Sequence, residues 1–462
     1  MKHYFLLSIF FLSPFFVSAQ VLENNWVVTE KLIEPRCNVV DKIDNVYVGF
    51  HEPCSSDSAI VSKYNSSGTL LWDFKIMASP FNAIYELSNL FLDENEENLY
   101  LSLLILNDVI LNNIDTIETS TVGADILLLK INTAGTLVWS KLFGEDFRSF
   151  TGGLKDKTDD GLLLNIYTDT NMLHLDSITI ASPFSSYTDY FVKIDENGIA
   201  NEGYCAYSPV VASTSGINDL IAYQNGYFIS GKVYYAGYVF GVDTIFSLAN
   251  TSSNHFIARL DSVFNIVWLH QQSNYCTFDN MSSPTVKIIN EKVYSHLHFT
   301  DTLNLFGNQF VVPTDTIGSI IFSSDLNGAN PNFIEFNPGL RIKDFFVTPG
   351  DSIYIAGSYT GEYQFGPLTF IDSVGSGDIV VAGVDDFGNF YSASQVYSYG
   401  GDHMFDMSSN DSSLVISGSL NANIISSEFY LDSVPFLPLN SSYHGVVAMY
   451  KFKNSVVNPN SL

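Results

Sequence analysis

Lys63-Tyr64-Asn65-Ser66-Ser67-Gly68 returns as Lys130-Ile131-Asn132-Thr133-Ala134-Gly135 and as Lys193-Ile194-Asp195-Glu196-Asn197-Gly198, with weaker copies at Asp261, Asp325, Asp385 and Lys453. The spacing is about 65 residues throughout, too regular for chance and too uneven for a recent tandem copy, and it marks an array of supersecondary units. Asn or Asp opens such a turn by hydrogen-bonding its side chain to the backbone just ahead, and Gly supplies the positive φ that closes it. Phe264 stands where the fourth copy should have Gly, so a different turn is expected there.

Outward from the turn, each unit breaks into short β-branched and aromatic runs between Gly, Asp and Asn. In the sixth unit these are Asp344–Thr348, Ser352–Ser358, Asp378–Val384 and a fourth run opening at Phe390. Four strands need about 40 to 45 residues, and the surplus falls between the second and third strands, as in Tyr359–Gly377, where a projecting hairpin is expected. Seven units without a helical pattern between them predict an all-β chain, a seven-bladed β-propeller of four-stranded antiparallel blades with long hairpin excursions. After the seventh third strand, Gly445–Phe452, no fourth strand follows. Trp26–Leu32 resembles Leu71–Ile76 and Val138–Phe143, so residues 26–32 should complete the last blade and leave no open edge.

The ends and composition set the setting. Lys2 and His3 precede an apolar run, Tyr4–Val17, that closes on Val17-Ser18-Ala19, the pattern of a signal peptide over residues 1–19. Residues 20–462 then form one exported propeller domain, without membrane insertion and with Gln20 where a lipid anchor would need cysteine. Twenty Lys+Arg against 49 Asp+Glu give a formal net charge of −29, which repels nucleic acid and anionic membranes alike. In an oxidising compartment Cys37, Cys54, Cys205 and Cys276 should pair, by preference Cys37 with Cys54 and Cys205 with Cys276; no spacing supports a zinc site instead.

The second strand Tyr354-x-x-Gly357-Ser358, the third strand Asp378-Ile379-x-Val381-Ala382 and the turn Asp385-x-x-Gly388-Asn389 are together similar to the secreted bacterial β-propeller repeats called SBBP repeats, over nearly all of residues 26–455. That resemblance implies an extracellular or cell-surface location and carries over no catalytic residues. The phrase Gly135-Thr136-Leu137-Val138-Trp139 also invites comparison with the Asp-box of sialidases and the Trp-docking motif of quinone-dependent dehydrogenases. Its Asn or Asp sits at the wrong distance for either, which leaves a blade-packing role.

Candidate sites are few. His296 and His298 lie two apart on a strand and face one side, but no third metal ligand is evident. Asp93–Asn98 could hold calcium, though it lacks the Gly and distal Glu of an EF-hand loop and more simply solvates a turn. A second recurring phrase, Asp then Ser or Thr then an apolar residue, at Asp115, Asp176, Asp243, Asp301, Asp372 and Asp432, reads as a repeated hairpin turn, with O-glycosylation as the other reading. If the excursions ring the channel mouth, Tyr234, Tyr235 and Tyr238 in one and Tyr359 and Tyr363 in another are suited to stacking on a ligand. The expected function is a non-catalytic, monomeric, secreted or cell-surface scaffold that binds an extracellular glycan or surface protein without cofactor or metal. The alternative is a polysaccharide hydrolase or lyase with paired carboxylates in a central pocket.

Overall fold

The computed structural model describes residues 20–454 except 32, 52–57, 79–83, 120–123, 145–150, 159–160, 184–187, 210–214, 234–236, 248–253, 273–284, 314–315, 373–376, 399–401, 422–427, 432–433 and 439–442. Residues 1–19, expected from the sequence to be a signal peptide, lie outside that set. Seven antiparallel sheets, each built on four core strands, form a seven-bladed β-propeller. Their innermost strands are Glu34–Val40, Ile84–Leu92, Thr151–Thr158, Gly216–Tyr223, Val286–Ile289, Leu340–Val347 and His403–Ser409, for blades 1 to 7 in that order. Second and third strands are buried almost throughout, as in Val46–His51, because blades pack face to face and both faces of each sheet are covered.

The last blade is closed from the other end of the chain. Gln20–Lys31 pairs antiparallel with Tyr443–Asn454, from Gln20 against Asn454 to Lys31 against His444, with one bulge between Asn24 and Trp26. The closing strand starts at Gln20, earlier than the sequence indicates, because Gln20–Asn25 has no apolar alternation to announce it. Blade 1 grips the seam as well. In the turn between its first two strands, Asp44 accepts hydrogen bonds from Lys451, Asn410, Ser412 and Ser413 of blade 7. Burial alone would raise the Asp44 carboxyl, but those donors outweigh it and hold it down at about 2.

The repeated turn phrase proves to be the joint between blades. Trp72, in the fourth strand of blade 1, donates its Nε1–H to the Thr133 carbonyl of the blade 2 turn at 3.1 Å, and Lys63 donates to the same oxygen at 3.1 Å. A Cβ on Gly135, at φ 86°, would lie 2.9 Å from Trp72 Cδ2, so the glycine serves both the turn and the close approach of the indole. Trp139 and Lys130 treat Glu196 in blade 3 in the same way, and Trp268 with Arg259 treats Leu326 in blade 5. At the closing seam Trp26 packs on Gly68 of blade 1, but Asn25 Nδ2 takes the Ser66 carbonyl and Trp26 Nε1 is buried without an acceptor among the described residues.

The fourth turn is where a sequence expectation fails. It keeps the ordinary hydrogen bonds, Phe264 N to Asp261 O at 3.1 Å and Asp261 N to Asn265 O at 2.9 Å, with Phe264 itself at φ 64°. The fourth strand of blade 3 has no Trp, and the Phe264 ring fills that slot from the other side, 4.5 Å from Tyr204, 4.3 Å from Tyr227 and 5.0 Å from Phe191. Packing of this ring offsets the left-handed backbone.

The excursions do not stand around the channel mouth. In blades 2, 4 and 7 the hairpins Val109–Leu111/Asp115–Ile117, Tyr238–Phe240/Asp243–Ile245 and Glu428–Leu431/Val434–Pro438 fold back at the rim and pair with the outer strand of the preceding blade, giving blades 1, 3 and 6 six strands each. Their alternating apolar residues decide this: Val109, Leu111, Phe240 and Ile245 bury completely or nearly so against the preceding blade. The hairpins of blades 3, 5 and 6 stay two-stranded but turn in likewise, burying Leu173 and Leu175, Leu303 and Leu305, and Tyr363 and Phe365.

Candidate functional site

With the excursions folded back at the rim, one concave surface left among the described residues is the central channel. A cavity of about 580 Å3 opens where the innermost strands begin, lined by residues of blades 1, 2, 3, 4, 6 and 7. Side chains of a regular innermost strand alternate toward the two neighbouring blades, so none faces the axis squarely. Bulges change that. Extra residues break the register between Pro35 and Cys37, Leu87 and Leu90, Leu154 and Asp156, Ile217 and Asp219, Ile342 and Asp344, and Met404 and Asp406. The inserted residues, Arg36, Ser88, Asn89, Lys155, Asn218, Lys343 and Phe405, all line the cavity.

The residue after each bulge turns into the seam. Asp156 accepts from Ala222 N of the next blade at 2.8 Å, Asp219 from Val286 N at 2.9 Å, and Asp406 from Asn38 N at 2.7 Å. Asp344 instead meets Lys287 of the blade before it, at 2.7 Å. Burial pushes Asp156 up to about 7 and Asp406 up to about 6, against the opposing pull of the backbone N–H donors. Asp189, the one carboxylate among the described lining residues, is raised by burial to about 6 and is engaged by Tyr238 O–H, Asn165 Nδ2 at 2.9 Å and Ile217 N at 3.4 Å. Arg36 pairs with Glu34 and stacks over Phe405, its Cζ 4.8 Å from the ring centroid.

The tyrosines expected to meet ligand are core residues where they are described. Tyr238 is fully buried on Asp189, Tyr359 is fully buried within reach of Asp378 and Gln395, and Tyr363 is buried with its hydroxyl donated to Asn337 O at 3.1 Å. A buried phenol needs a partner for its hydroxyl: the hairpins carrying Tyr238 and Tyr363 pack down onto blade groups that supply one, and Tyr359 ends the second strand of blade 6 beside its own. Tyr234 and Tyr235 lie outside the described residues.

Cys37 and Cys205 carry free thiols, which corrects the expectation that both are bridged; Cys54 and Cys276 lie outside the described residues. Cys37 is buried in the blade 1–2 interface beside Leu87 and Gly49, and burial raises its thiol well above the usual range. Cys205 Sγ lies 3.6 Å from the Ala181 carbonyl.

His296 and His298 do lie together, with ring centroids 5.4 Å apart, both buried, and His296 Nδ1 is 2.9 Å from Thr285 Oγ1. Burial and nearby cations, including Lys343 and Lys287, keep them neutral, and no metal-holding group of three ligands occurs among the described residues. Asp93 spends its oxygens on Glu97 N at 2.8 Å and on Asn98, which makes it a turn former. The Asp-Ser/Thr phrases do not occupy one equivalent turn. Asp115, Asp176 and Asp243 begin the second strand of a hairpin or its turn, Asp301 precedes the first strand and Asp372 follows the second, while Asp432 lies outside the described residues. Asp176 and Asp243 brace the hairpin tips by accepting from Ala200 N at 2.8 Å and Ile266 N at 2.9 Å.

No known family pattern matches this sequence, and no curated protein matches it either. Among solved structures it is similar to Drosophila Semaphorin 2a at 10% identity over 86% of this chain and 74% of that one, with a TM-score of 0.39. It is similar to the phage phi92 endosialidase at 12% identity over 93% and 69%, TM-score 0.38. A member of the DUF4221 family from Bacteroides vulgatus aligns at 10% identity over 94% and 100%, TM-score 0.36.

Proposed function

We propose that this chain is an exported, non-catalytic propeller scaffold that holds an extracellular glycan or surface protein at the mouth of its central channel. The observation that carries the reading is the bulge in six of the seven innermost strands. Repetition of a bulge at the same place places polar and cationic side chains on the axis, at a cost in regular pairing that ring packing alone does not require. The cavity they line falls within the range of about 300–1,000 Å3 typical of ligand sites. A two-carboxylate hydrolase needs an acid and a base facing one another, whereas Asp189 is held by three donors and the neighbouring carboxylates are turned into the seams.

A glycan and surface-protein binding screen of the mature chain tests this, with Asn89→Ala/Asn218→Ala as the channel variant. Binding lost in that variant supports the channel as the site. Turnover of a polysaccharide, or binding indifferent to the change, overturns the reading.

A further inference from the structure

We infer that the channel ligand is an anionic glycan whose sugars carry carboxylates, an inference that rests on the channel reading above. In a chain of net charge −29 with 20 Lys+Arg, the innermost strands carry Arg36, Lys155, Lys157, Lys287, Arg341 and Lys343. Arg36, Lys155 and Lys343 are bulge residues that line the cavity.

Their bonding separates structural cations from available ones. Lys287 is bound to Asp344 and Arg36 to Glu34. Lys155 donates to the Asn218 carbonyl at 3.0 Å and pairs with no carboxylate among the described residues. Lys343 is exposed and makes no hydrogen bond or ion pair to any described residue. Carboxylates outnumber cations more than two to one in this protein, so ammonium groups left unpaired in a concave site stand out. The acids around the channel are already engaged: Asp156, Asp219 and Asp406 give oxygens to backbone N–H groups of the following blades, and Asp189, which feels the Lys155 charge, is held by Tyr238, Asn165 and Ile217.

A cleft in which cations outnumber the one described lining carboxylate, Asp189, concentrates positive field and selects the opposite charge even within an oppositely charged molecule. The overall field still repels long polyanions, so a short or terminal acidic segment is the form that fits. Between the cations stand Asn89, Asn218 and Tyr167, groups that hydrogen-bond hydroxyls, and the half-buried Phe405 ring, a surface on which a pyranose stacks. Charge for a carboxylate, amides for hydroxyls and a ring for the sugar face together describe a uronate-bearing oligosaccharide.

The test is titration calorimetry of the mature protein with tetramers of galacturonate, of mannuronate and of neutral mannose, against wild type and Lys155→Gln/Lys343→Gln. Thermal melting confirms that the variant folds. The expected result is binding of an acidic tetramer that weakens about tenfold or more in the variant and between about 50 and 300 mM salt, with the neutral tetramer markedly weaker. Equal binding of the neutral tetramer, or failure of both acidic tetramers to bind, overturns the charge inference. If the neutral tetramer is also lost in Asn89→Ala/Asn218→Ala, the channel reading survives without it. Acidic-tetramer binding unchanged in Lys155→Gln/Lys343→Gln overturns the proposed site.

Discussion

Removing Gln20–Lys31 takes out the whole outer strand of blade 7 and bares the edge of Tyr443–Asn454, 12 residues long. Trp26 sets a lower bound on the cost. It is 9% exposed and seated on Gly68, and deleting a buried aromatic costs about 3–5 kcal/mol, against a total of about 5–15 kcal/mol for a folded domain. Trp26→Ala should therefore lower the melting midpoint by about 3–5 °C for a chain of this length. The strand deletion should do more, because it also leaves a row of unpaired backbone groups that recruits a second chain. Differential scanning calorimetry with sedimentation velocity separates the two effects. Trp72→Ala is the control, since it opens a joint between blades without creating an edge and should destabilise without association. A truncated chain that melts with the chain of residues 20–462 and sediments as a monomer would refute ring closure by the N-terminal strand.

Phe264→Gly relieves a left-handed φ worth about 1 kcal/mol but empties the slot between Tyr204 and Tyr227, so a net loss of about 2–4 kcal/mol is expected in urea denaturation; a stabilised variant would show that the ring is not the joint. Asp156, raised to about 7 in the fold against 3.8 for the free group, binds more protons folded than unfolded between those values. Its contribution is therefore complete below about pH 4 and lost as pH rises through 7, so Asp156→Asn should gain about 1–2 kcal/mol on wild type between pH 5 and pH 8, read from parallel denaturation curves. Asp44, held at about 2, acts in the opposite sense: its stabilisation is present above pH 4 and disappears as pH falls through 2, and Asp44→Asn should flatten the acid limb of the stability profile. Cys37 should resist alkylation in the native protein and react only after unfolding; a Cys37–Cys54 peptide in a non-reducing digest would contradict its free thiol.

The ring and its closure were legible because the residues that build joints must recur: Lys63, Asn65, Gly68 and Trp72 repeat since each blade meets the next in the same way. The excursions were misread because their short alternating runs, such as Leu173-His174-Leu175, look alike whether they bury at the rim or stand over the channel. Tyr238, Tyr359 and Tyr363 followed that error. The channel residues escaped notice for a different reason. A bulge leaves no period of its own, and Ile217-Asn218-Asp219, Ile342-Lys343-Asp344 and Met404-Phe405-Asp406 share a pattern only when aligned by position in the blade, where Asp recurs and the residue before it varies.

The hairpins given to a neighbour divide the circle unequally. Blades 2, 4 and 7 each extend the sheet of the blade before them, which couples 1 with 2, 3 with 4 and 6 with 7 and leaves blade 5 outside any such pair. Amide exchange should follow those couples: strands of two adjoining blades would lose protection together, blade 5 would open on its own at lower free energy, and the circle would come apart as four cooperative parts instead of seven.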